Sequence, residues 1–316
     1  MIYLLLEENL SYAAIGKILG RSKSTISREI KRNTGSDNYY SPSEATQKYK
    51  ERRKNSHAKY RLDDQRLFRF IKNKIFNQQW SPEQIANRLK LEGNALSVSY
   101  ATIYRGVRAG RFDYKTPASI RKGSRKLRHR GRKMHYSHTK DNRGCFPVSN
   151  DIESRPLSAQ TRSRFGHWEA DTVIGKRGRK CLLTLNDRKS RFLIARKAER
   201  KNAKCINRQM IKALSGVTVK SITPDRGKEF AGHSEVTEAL GGVQFYFPGP
   251  HQPWQRGTNE NSNGLLREYF PKGEDIGNYS SAQIKSAVNK LNKRPRKCLD
   301  WKTPYEVFYR VSLHLT

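Results

Sequence analysis

The sequence predicts a multidomain protein in which all-α units near the start precede a larger α/β domain. Two observations predict this order. Apolar residues recur at helical spacing, with glycine turns between the helices, through about the first 110 positions, whereas runs of strand-like composition begin at Phe165. The stretch between them is rich in Arg, Lys and Gly and holds few large apolar residues, so we expect a linker there.

A first helix-turn-helix is predicted near the N-terminus. A short helix ends at Gly20, which suits a helix C-terminus, and either Ser22 or Ser24 can cap the next helix. Ile26 and Ile30 give that second helix a buried stripe, and its other face is polar and basic, as in helices that enter the DNA major groove. A helical hairpin with a solvated basic face is the alternative. The candidate DNA-contacting residues here are Ser24, Thr25, Ser27, Arg28, Lys31 and Arg32.

A second helix-turn-helix is predicted further along the chain. Ser81 and Gln84, three residues apart, have the pattern of a capping box at a helix start. After a glycine-containing turn, Ser99 can begin another helix. Arg105 and Arg108 lie on the outward face of that helix and are further DNA-contact candidates. Two such units in tandem would contact a longer DNA site than one.

The charge of the chain is strongly unbalanced. Lys and Arg number 64 against 28 Asp and Glu, which gives a formal net charge of +36. Such an excess repels itself in a compact state and predicts a polyanionic partner, usually nucleic acid. Because neutralising phosphates releases counterions, we expect binding that weakens steeply as salt rises. A protein that only coats nucleic acid would have the same composition, so charge alone leaves that alternative open.

The remaining composition predicts a cytoplasmic, nucleoid-associated protein with no membrane partner. No stretch approaches the ~20 apolar residues of a membrane helix, and the first residues lack the features of a signal peptide. The cysteines form no C-x-x-C pair, which argues against a zinc ribbon and against a disulfide framework.

The domain boundaries follow from these changes along the chain. We predict a helix-turn-helix domain at residues 1–60, a second one at 61–112, a basic linker at 113–160 and a catalytic domain at 161–316. In the last of these, HWEADTVIG, CLLTLND and RFLIARKA are β-rich runs separated by turn residues. Alternating helices and short strands follow, ending in a long helix from about Gln255 to Tyr269. This is the order of an RNase-H-like fold, for which we expect a mixed five-stranded sheet flanked by helices.

Three acidic residues stand where this fold would bring them together. Asp171 lies in the first strand, Asp225 follows a short strand, and Glu260 lies on the late helix. Phosphodiester transfer has a negatively charged transition state, and carboxylates can hold two Mg²⁺ ions about 3.5–4 Å apart to stabilise it. We predict that Asp171 bridges both ions and that the other two acids each complete one side, with Mn²⁺ able to replace Mg²⁺.

Each of these acids taken alone has a plainer interpretation as a surface carboxylate or a partner of an arginine. Glu169 and Asp187 also compete with them: Glu169 shares a strand face with Asp171, and Asp187 stands in a turn that favours aspartate. The trio is preferred because of its joint position. Arg267 lies seven residues after Glu260 on the same helix face, and we predict that it contacts DNA phosphate as a bidentate fork.

Five segments of the chain are informative together: STISREIKRN, GHWEADTVIG, TPDRGKEF, PWQRGTNENSNGLLREYFPKG and, near the end, NKRPRKCLDWKTPYEV. They resemble the IS-thirty family of insertion-sequence transposases, within the larger group of DDE transposases and retroviral-type integrases. The resemblance covers almost the whole chain and implies catalytic roles for Asp171, Asp225, Glu260 and Arg267. Pro224 departs from the family pattern, in which a larger residue is common, and the segment before the first helix-turn-helix is short, as a truncated start would make it.

The resemblance implies a bacterial DNA transposase that binds the terminal inverted repeats of an insertion sequence. It implies that the ends are cleaved with two divalent metal ions and that the 3′-hydroxyl then joins DNA by direct transesterification. Two inverted repeats imply at least a dimer, and no small-molecule substrate is implied. The alternatives are a sequence-specific repressor with an inactive catalytic domain and a nuclease without strand transfer.

Residues around the acids have less specific interpretations. Arg256 is a further DNA-contact candidate, and Trp254 either stacks on DNA or anchors the start of the late helix in the core. His167 and Trp168 are predicted to pack in the core, as is a C-terminal helix through Tyr305, Val307 and Phe308.

Overall fold

The computed structural model divides the chain into two compact units, Met1–Asp63 and Asp64–Thr316. It describes residues 1–35, 39–56, 60–116, 119–121, 149–175, 180–249, 255 and 257–316, with backbone alone for 114–116 and 119–121.

In its described residues the first unit contains four α-helices. They are α1 (Ile2–Glu7), α2 (Tyr12–Ile18), α3 (Lys23–Asn33) and α4 (Pro42–Asn55). Ile15, Ile26 and Ile30 form the buried centre, as an amphipathic helix pair requires. Gly20 has φ +63° in the turn after α2, and the Ser22 side chain accepts the Thr25 N–H at the start of α3. The predicted helix-turn-helix and the Ser22 cap are therefore confirmed.

The second unit begins with three helices. They are α5 (Gln65–Phe76), α6 (Pro82–Leu91) and α7 (Tyr100–Arg108). The predicted capping box is present, since Ser81 accepts the Gln84 N–H and the Gln84 side chain accepts the Ser81 N–H. Ser99 caps α7 by accepting the Thr102 N–H. A two-stranded hairpin follows, β1 (Tyr114–Thr116) with β2 (Ser119–Arg121).

The rest of the second unit alternates helices with strands. Its elements are α8 (Leu157–Gln160), β3 (His167–Ile174), β4 (Cys181–Asp187), β5 (Leu193–Ala198), α9 (Ala203–Leu214), β6 (Ser221–Thr223), α10 (His233–Ala239), β7 (Gln244–Phe245), α11 (Gly257–Leu266), α12 (Ser281–Asn292) and α13 (Pro304–Tyr309). The helix that we predicted to reach Tyr269 ends at Leu266. The predicted end came within two residues of Pro271, and a residue that precedes proline is disfavoured in helical conformation.

Strands β3 to β7 form one mixed sheet in the order β5-β4-β3-β6-β7. β3, β4 and β5 pair antiparallel, whereas β6 pairs parallel with both β3 and β7. This confirms the predicted five-stranded mixed sheet of an RNase-H-like domain. β3 is the central strand, so an acid on it can be reached from elements on both sides.

Helices cover both faces of the sheet. Leu183 packs with α9, α10 and α13 on one face, whereas its neighbour Leu182 packs with α11 and α12 on the other, because successive strand residues point to opposite faces. Trp168 is fully buried, and Phe308 of α13 lies edge-on against it at 5.9 Å between ring centres. The predicted core positions of Trp168 and Phe308 are confirmed.

Part of the segment that we predicted to be a linker lies beside the sheet. Asn150 donates to the Phe245 carbonyl of β7 at 3.0 Å, and Asp151 forms a parallel bridge with Phe247. Residues 117–118 and 122–148 of the predicted linker lie outside the described part of the chain. The predicted division into domains therefore remains a prediction, and within the predicted linker Ser149 and Asn150 contact β7.

A buried ion pair joins α6 to the C-terminal helix. Arg88 donates through both terminal nitrogens to the Glu306 carboxylate, each at 2.7 Å, in the bidentate geometry that gives strong charge-assisted hydrogen bonds. The side chains are 1% and 5% exposed. Glu92 accepts the N–H groups of Leu315 and Thr316, so the final residues lie against α6.

None of the helices in the described part of the chain has the length and apolar character needed to span a membrane.

We expect Glu306→Gln to destabilise the second unit by about 1–3 kcal/mol, because it removes one of the two carboxylates, Glu306 and Glu92, that pair with the buried charge of Arg88. Burial raises the pKa of Glu306, but hydrogen bonds from Arg88 and backbone N–H groups outweigh it and lower that pKa from 4.5 to about 2. The stabilisation is therefore complete above pH 4.5 and is lost as the pH falls towards 2.

Thermal unfolding between pH 2 and 7 measures both effects. Glu238→Gln, which neutralises an exposed carboxylate on α10, is the control. A Glu306→Gln protein as stable as this control at pH 7 would contradict the assignment.

Candidate active site at the edge of the sheet

The parallel pairing of β3 with β6 relates two of the predicted acids to each other. The register aligns Glu169 with Thr223 at the end of β6, on strands about 4.8 Å apart. Asp171 lies two residues further along β3, and Asp225 lies two residues beyond the end of β6, in the loop that follows it. Both residues are half-buried. The two acids therefore follow the same aligned pair on neighbouring strands.

The Asp171 carboxylate is oriented by hydrogen bonds at both oxygens. Oδ1 accepts the N–H of Thr172 at 2.7 Å, and Oδ2 accepts Nδ2 of Asn263 on α11 at 3.0 Å. The amide of Asn263 is itself oriented, because Thr184 Oγ1 on β4 donates to its Oδ1 at 3.1 Å. Our sequence analysis missed Asn263, whose only signal was its place one helical turn after Glu260.

Asp225 is followed by a turn in which Gly227 leaves room for its carboxylate. Its Oδ1 accepts the N–H of Gly227 at 3.0 Å. A Cβ atom on Gly227 would lie 2.8 Å from Asp225 Oδ1 and 2.5 Å from Glu229 Oε2, closer than real Cβ contacts allow. The absence of a side chain at Gly227 therefore lets two carboxylates approach the same point.

Glu229 is a second residue of this region that sequence reasoning missed. It is 4% exposed, and its Oε1 accepts Thr172 Oγ1 at 2.8 Å and lies 3.0 Å from Lys201 Nζ. Thr172 adjoins Asp171 on β3, so Glu229 links the turn after β6 to the strand that carries Asp171. The signal for it was its place in the segment TPDRGKEF, which we had used only to locate Asp225.

Glu260 is exposed on α11, three residues before Asn263. Residues at that separation are neighbours along a helix, with Cβ atoms about 5–6 Å apart. Across the described ranges, no group of three or more His, Cys, Asp or Glu side chains could hold a metal ion. The three predicted acids therefore lie on adjoining elements without forming one cluster. Their donor chemistry, carboxylate oxygen alone, is nevertheless what Mg²⁺ prefers.

Arg267 follows the last residue of α11 and contacts the end of β3. Its Nη2 donates to the Ile174 carbonyl at 2.6 Å and its Nη1 to the Phe270 carbonyl at 3.5 Å. Burial lowers the pKa of Arg267. In this arrangement the guanidinium joins α11 to the strand that carries Asp171, and its contact with DNA phosphate remains a prediction.

The two competing acids are fully buried and serve other contacts. Glu169 forms an ion pair with Arg188, whose pKa is lowered chiefly by burial. Asp187 accepts the N–H groups of Gly166 at 2.9 Å and Ser190 at 2.8 Å, as expected for an aspartate in a turn. Burial and saturation with donors make both acids poor candidates for binding a metal ion, which favours the trio over them.

The candidate DNA-contacting residues are mostly on open surface. On α3, Ser24, Thr25, Arg28, Lys31 and Arg32 are exposed and Ser27 is half-buried. On α7, Arg105 and Arg108 are exposed. Ser22 Oγ lies 2.9 Å from both Ser24 Oγ and Thr25 Oγ1, so the polar start of α3 is ordered by its own cap. Arg256 and Trp254 lie outside the described residues.

We expect Gly227→Ala to displace Asp225 or Glu229 and to reduce DNA strand cleavage by at least about tenfold, or about 1.4 kcal/mol in barrier. DNA binding should persist. Gly216→Ala is the matched control: Gly216 has φ +90° but no atom within 4 Å of an added Cβ, so this change strains the backbone without touching the acids. Equal cleavage rates in the two variants would show that the turn at Gly227 has no role in the site.

Known proteins are similar to this chain both in its first helices and over nearly its full length. A family model described as a helix-turn-helix domain matches residues 1–33. The transposase for insertion sequence element IS4351 of Bacteroides fragilis is 39% identical over 314 residues, covering 98% of this chain and 93% of that protein. Transposase InsI for insertion sequence element IS30C of Escherichia coli K12 is 38% identical over 317 residues, covering 96% and 80% respectively.

Among solved structures, the catalytic core domain of BIV integrase is 20% identical with a TM-score of 0.36, covering 46% of this chain and 93% of that one. The sequence similarity to the two transposases extends over nearly the full length of this chain. The chain therefore belongs to the IS30 family of insertion-sequence transposases.

Proposed function

We propose that this transposase acts by DDE chemistry, with Asp171, Asp225 and Glu260 as its catalytic acids. It binds the terminal inverted repeats of an insertion sequence, cleaves at the ends and joins the exposed 3′-hydroxyl to DNA by direct transesterification. The observation that carries the proposal is the position of the acids around β3: Asp171 lies on it, Asp225 follows the neighbouring strand β6 by two residues, and Asn263, one turn after Glu260, contacts the Asp171 carboxylate.

The same three carboxylates are proposed to hold two Mg²⁺ ions, or Mn²⁺ in their place, with Asp171 shared between the ions. Bound there, the ions would activate the attacking oxygen and stabilise the leaving one. The support is the donor set, which consists of hard oxygen atoms on three adjoining elements. Asn263 holds one oxygen of Asp171, and Gly227 leaves the space that Asp225 needs.

The basic surface has a different task, which is to hold and orient the DNA. The exposed polar face of α3 would contact base edges, and α7 would extend the site with Arg105 and Arg108. A net charge of +36 supplies the non-specific attraction to phosphates. Two inverted repeats must be held at once, so the active complex is proposed to contain at least two copies of the chain.

A repressor with an inactive catalytic domain is the competing function. A protein that only binds DNA has no use for carboxylates collected where phosphate would approach, because like charges repel. Asp171 on β3 and Asp225 in the loop after the neighbouring β6 are nevertheless both oriented by hydrogen bonds. This arrangement favours an enzyme.

We expect Asp171→Asn, Asp225→Asn and Glu260→Gln each to reduce Mg²⁺-dependent nicking of inverted-repeat DNA by at least about 100-fold, or about 2.7 kcal/mol in barrier. Binding to the same DNA should be retained, because the acids do not attract phosphate. Single-turnover cleavage and gel-shift assays measure the two properties. Glu238→Gln removes one exposed carboxylate on α10 and should cleave normally. A Glu260→Gln protein that nicks at the wild-type rate refutes the assignment of that acid.

We expect Arg28→Ala to lose preference for the inverted repeat over random DNA by about 5- to 150-fold, the equivalent of 1–3 kcal/mol for one base-reading side chain. Lys17→Ala removes the same charge from the exposed side of α2 and should weaken binding to all sequences alike. Competition binding at fixed salt measures the preference. An unchanged footprint on the repeat in Arg28→Ala would remove α3 from the DNA-reading surface.

A further inference from the structure

The buried carboxylate of Glu169 contacts the first turn of α11. Its Oε2 accepts the backbone N–H of Asn259 at 3.0 Å, and Asn259 immediately precedes Glu260. The first N–H groups of a helix have no partner within the helix, and negative charge is favoured beside them. Glu169 therefore caps α11 from another element and holds the backbone next to Glu260.

The spacing between Glu169 and Asp171 along β3 is close to the spacing between Asn259 and Asn263 along α11. Two residues of a strand span about 6.7 Å and four residues of a helix span about 6 Å. The contacts of Glu169 with Asn259 and of Asp171 with Asn263, both 3.0 Å long, are thus successive links between β3 and α11. Without the contact from Glu169, the contact between Asp171 and Asn263 and the buried apolar end of α11 would still hold the rest of the helix. We therefore expect only the first turn of the helix, which carries Glu260, to move.

One side chain of β4 and one of the loop between β4 and β5 also contact this turn. Asn186 Nδ2 donates to Asn259 Oδ1 at 2.6 Å, and Arg191 Nη1 donates to Thr258 Oγ1 at 2.7 Å. Both contacts are to side chains, whereas Glu169 holds the main chain. Of these three contacts, the one from Glu169 therefore acts most directly on the path of the backbone into Glu260.

Arg188 makes the buried position of Glu169 possible. A carboxylate removed from water needs a charged or hydrogen-bonding partner, and the guanidinium of Arg188 supplies it through Glu169 Oε1. Arg188 Nε in turn donates to the Ala159 carbonyl at 2.8 Å. One carboxylate oxygen is thus fixed by Arg188, and the other is directed at the start of α11.

From these contacts we infer that Glu169 is a positioning residue, which sets the location of Glu260 relative to Asp171. The inference rests on the proposed function in that Glu260 is taken to bind a metal ion. The hold of Glu169 on the first turn of α11 does not depend on that role and is measured separately.

The experiment compares two variants of the full chain with the wild type. Glu169→Gln removes the charge and keeps the shape. Because it leaves Arg188 buried and unpaired, the double variant Glu169→Leu with Arg188→Met replaces the whole pair by apolar side chains and should preserve folding. Hydrogen exchange of the metal-free protein reports on α11, and nicking is measured as a function of Mg²⁺ concentration.

In both variants we expect protection of the Asn259 and Glu260 amides to fall by about tenfold or more, while protection in β4 is unchanged. The Mg²⁺ concentration for half-maximal nicking should rise roughly tenfold or more, with the rate largely recovered at saturating Mg²⁺. Glu268→Gln is the control, because Glu268 lies just beyond the other end of α11 and pairs with Arg294 at 3.0 Å. It should change neither measurement.

An unchanged rate of hydrogen exchange at the Asn259 amide in the double variant would contradict the claim that Glu169 holds the first turn of α11. A loss of maximal rate with no change in the Mg²⁺ requirement would overturn the positioning role. If Glu260→Gln nicks normally, the proposed function fails instead, and the exchange measurement still decides whether Glu169 holds the first turn of α11.

Discussion

The packing of α11 along β3 is the contact on which the site depends. β3 is the central strand, paired antiparallel with β4 and parallel with β6, so no edge of it is free for a further strand. Two elements that follow much later in the chain contact it: β6 pairs with it, and α11 packs on one of its faces. Asp171 and Asn263 are 92 residues apart in sequence and 3.0 Å apart in space. A shift of α11 by one turn would separate them, so the geometry of the acids depends on packing more than on any single turn.

Burial separates the structural acids from the candidate catalytic ones. In a chain with a net charge of +36, three of the buried carboxylates have a cation beside them: Glu169 has Arg188, Glu229 has Lys201 and Glu306 has Arg88, whereas the buried Asp187 accepts backbone N–H groups. The acids assigned to chemistry differ, since Asp171 and Asp225 are half-buried and Glu260 is exposed.

Local features of the fold could be predicted from the sequence because they depend on neighbouring residues. The capping box at Ser81, the left-handed Gly20 and the core position of Trp168 all follow from patterns within a few positions. The contact of Asn263 with Asp171 and the pairing of Arg88 with Glu306, 218 residues away, could not be predicted in this way. They depend on how distant elements pack. Sequence position identified the candidate acids, whereas burial was needed to set Glu169 and Asp187 apart from them.

The central claim is that Asp171, Asp225 and Glu260 converge on shared divalent ions, although in the described residues they do not form one cluster. Anomalous diffraction from crystals of the protein with Mn²⁺ and inverted-repeat DNA tests it most directly. We predict anomalous peaks at bonding distance from carboxylate oxygens of all three residues, with Asp171 common to both peaks. Peaks that involve other acids, or an ion on Asp171 with Glu260 still turned to solvent, would contradict the account.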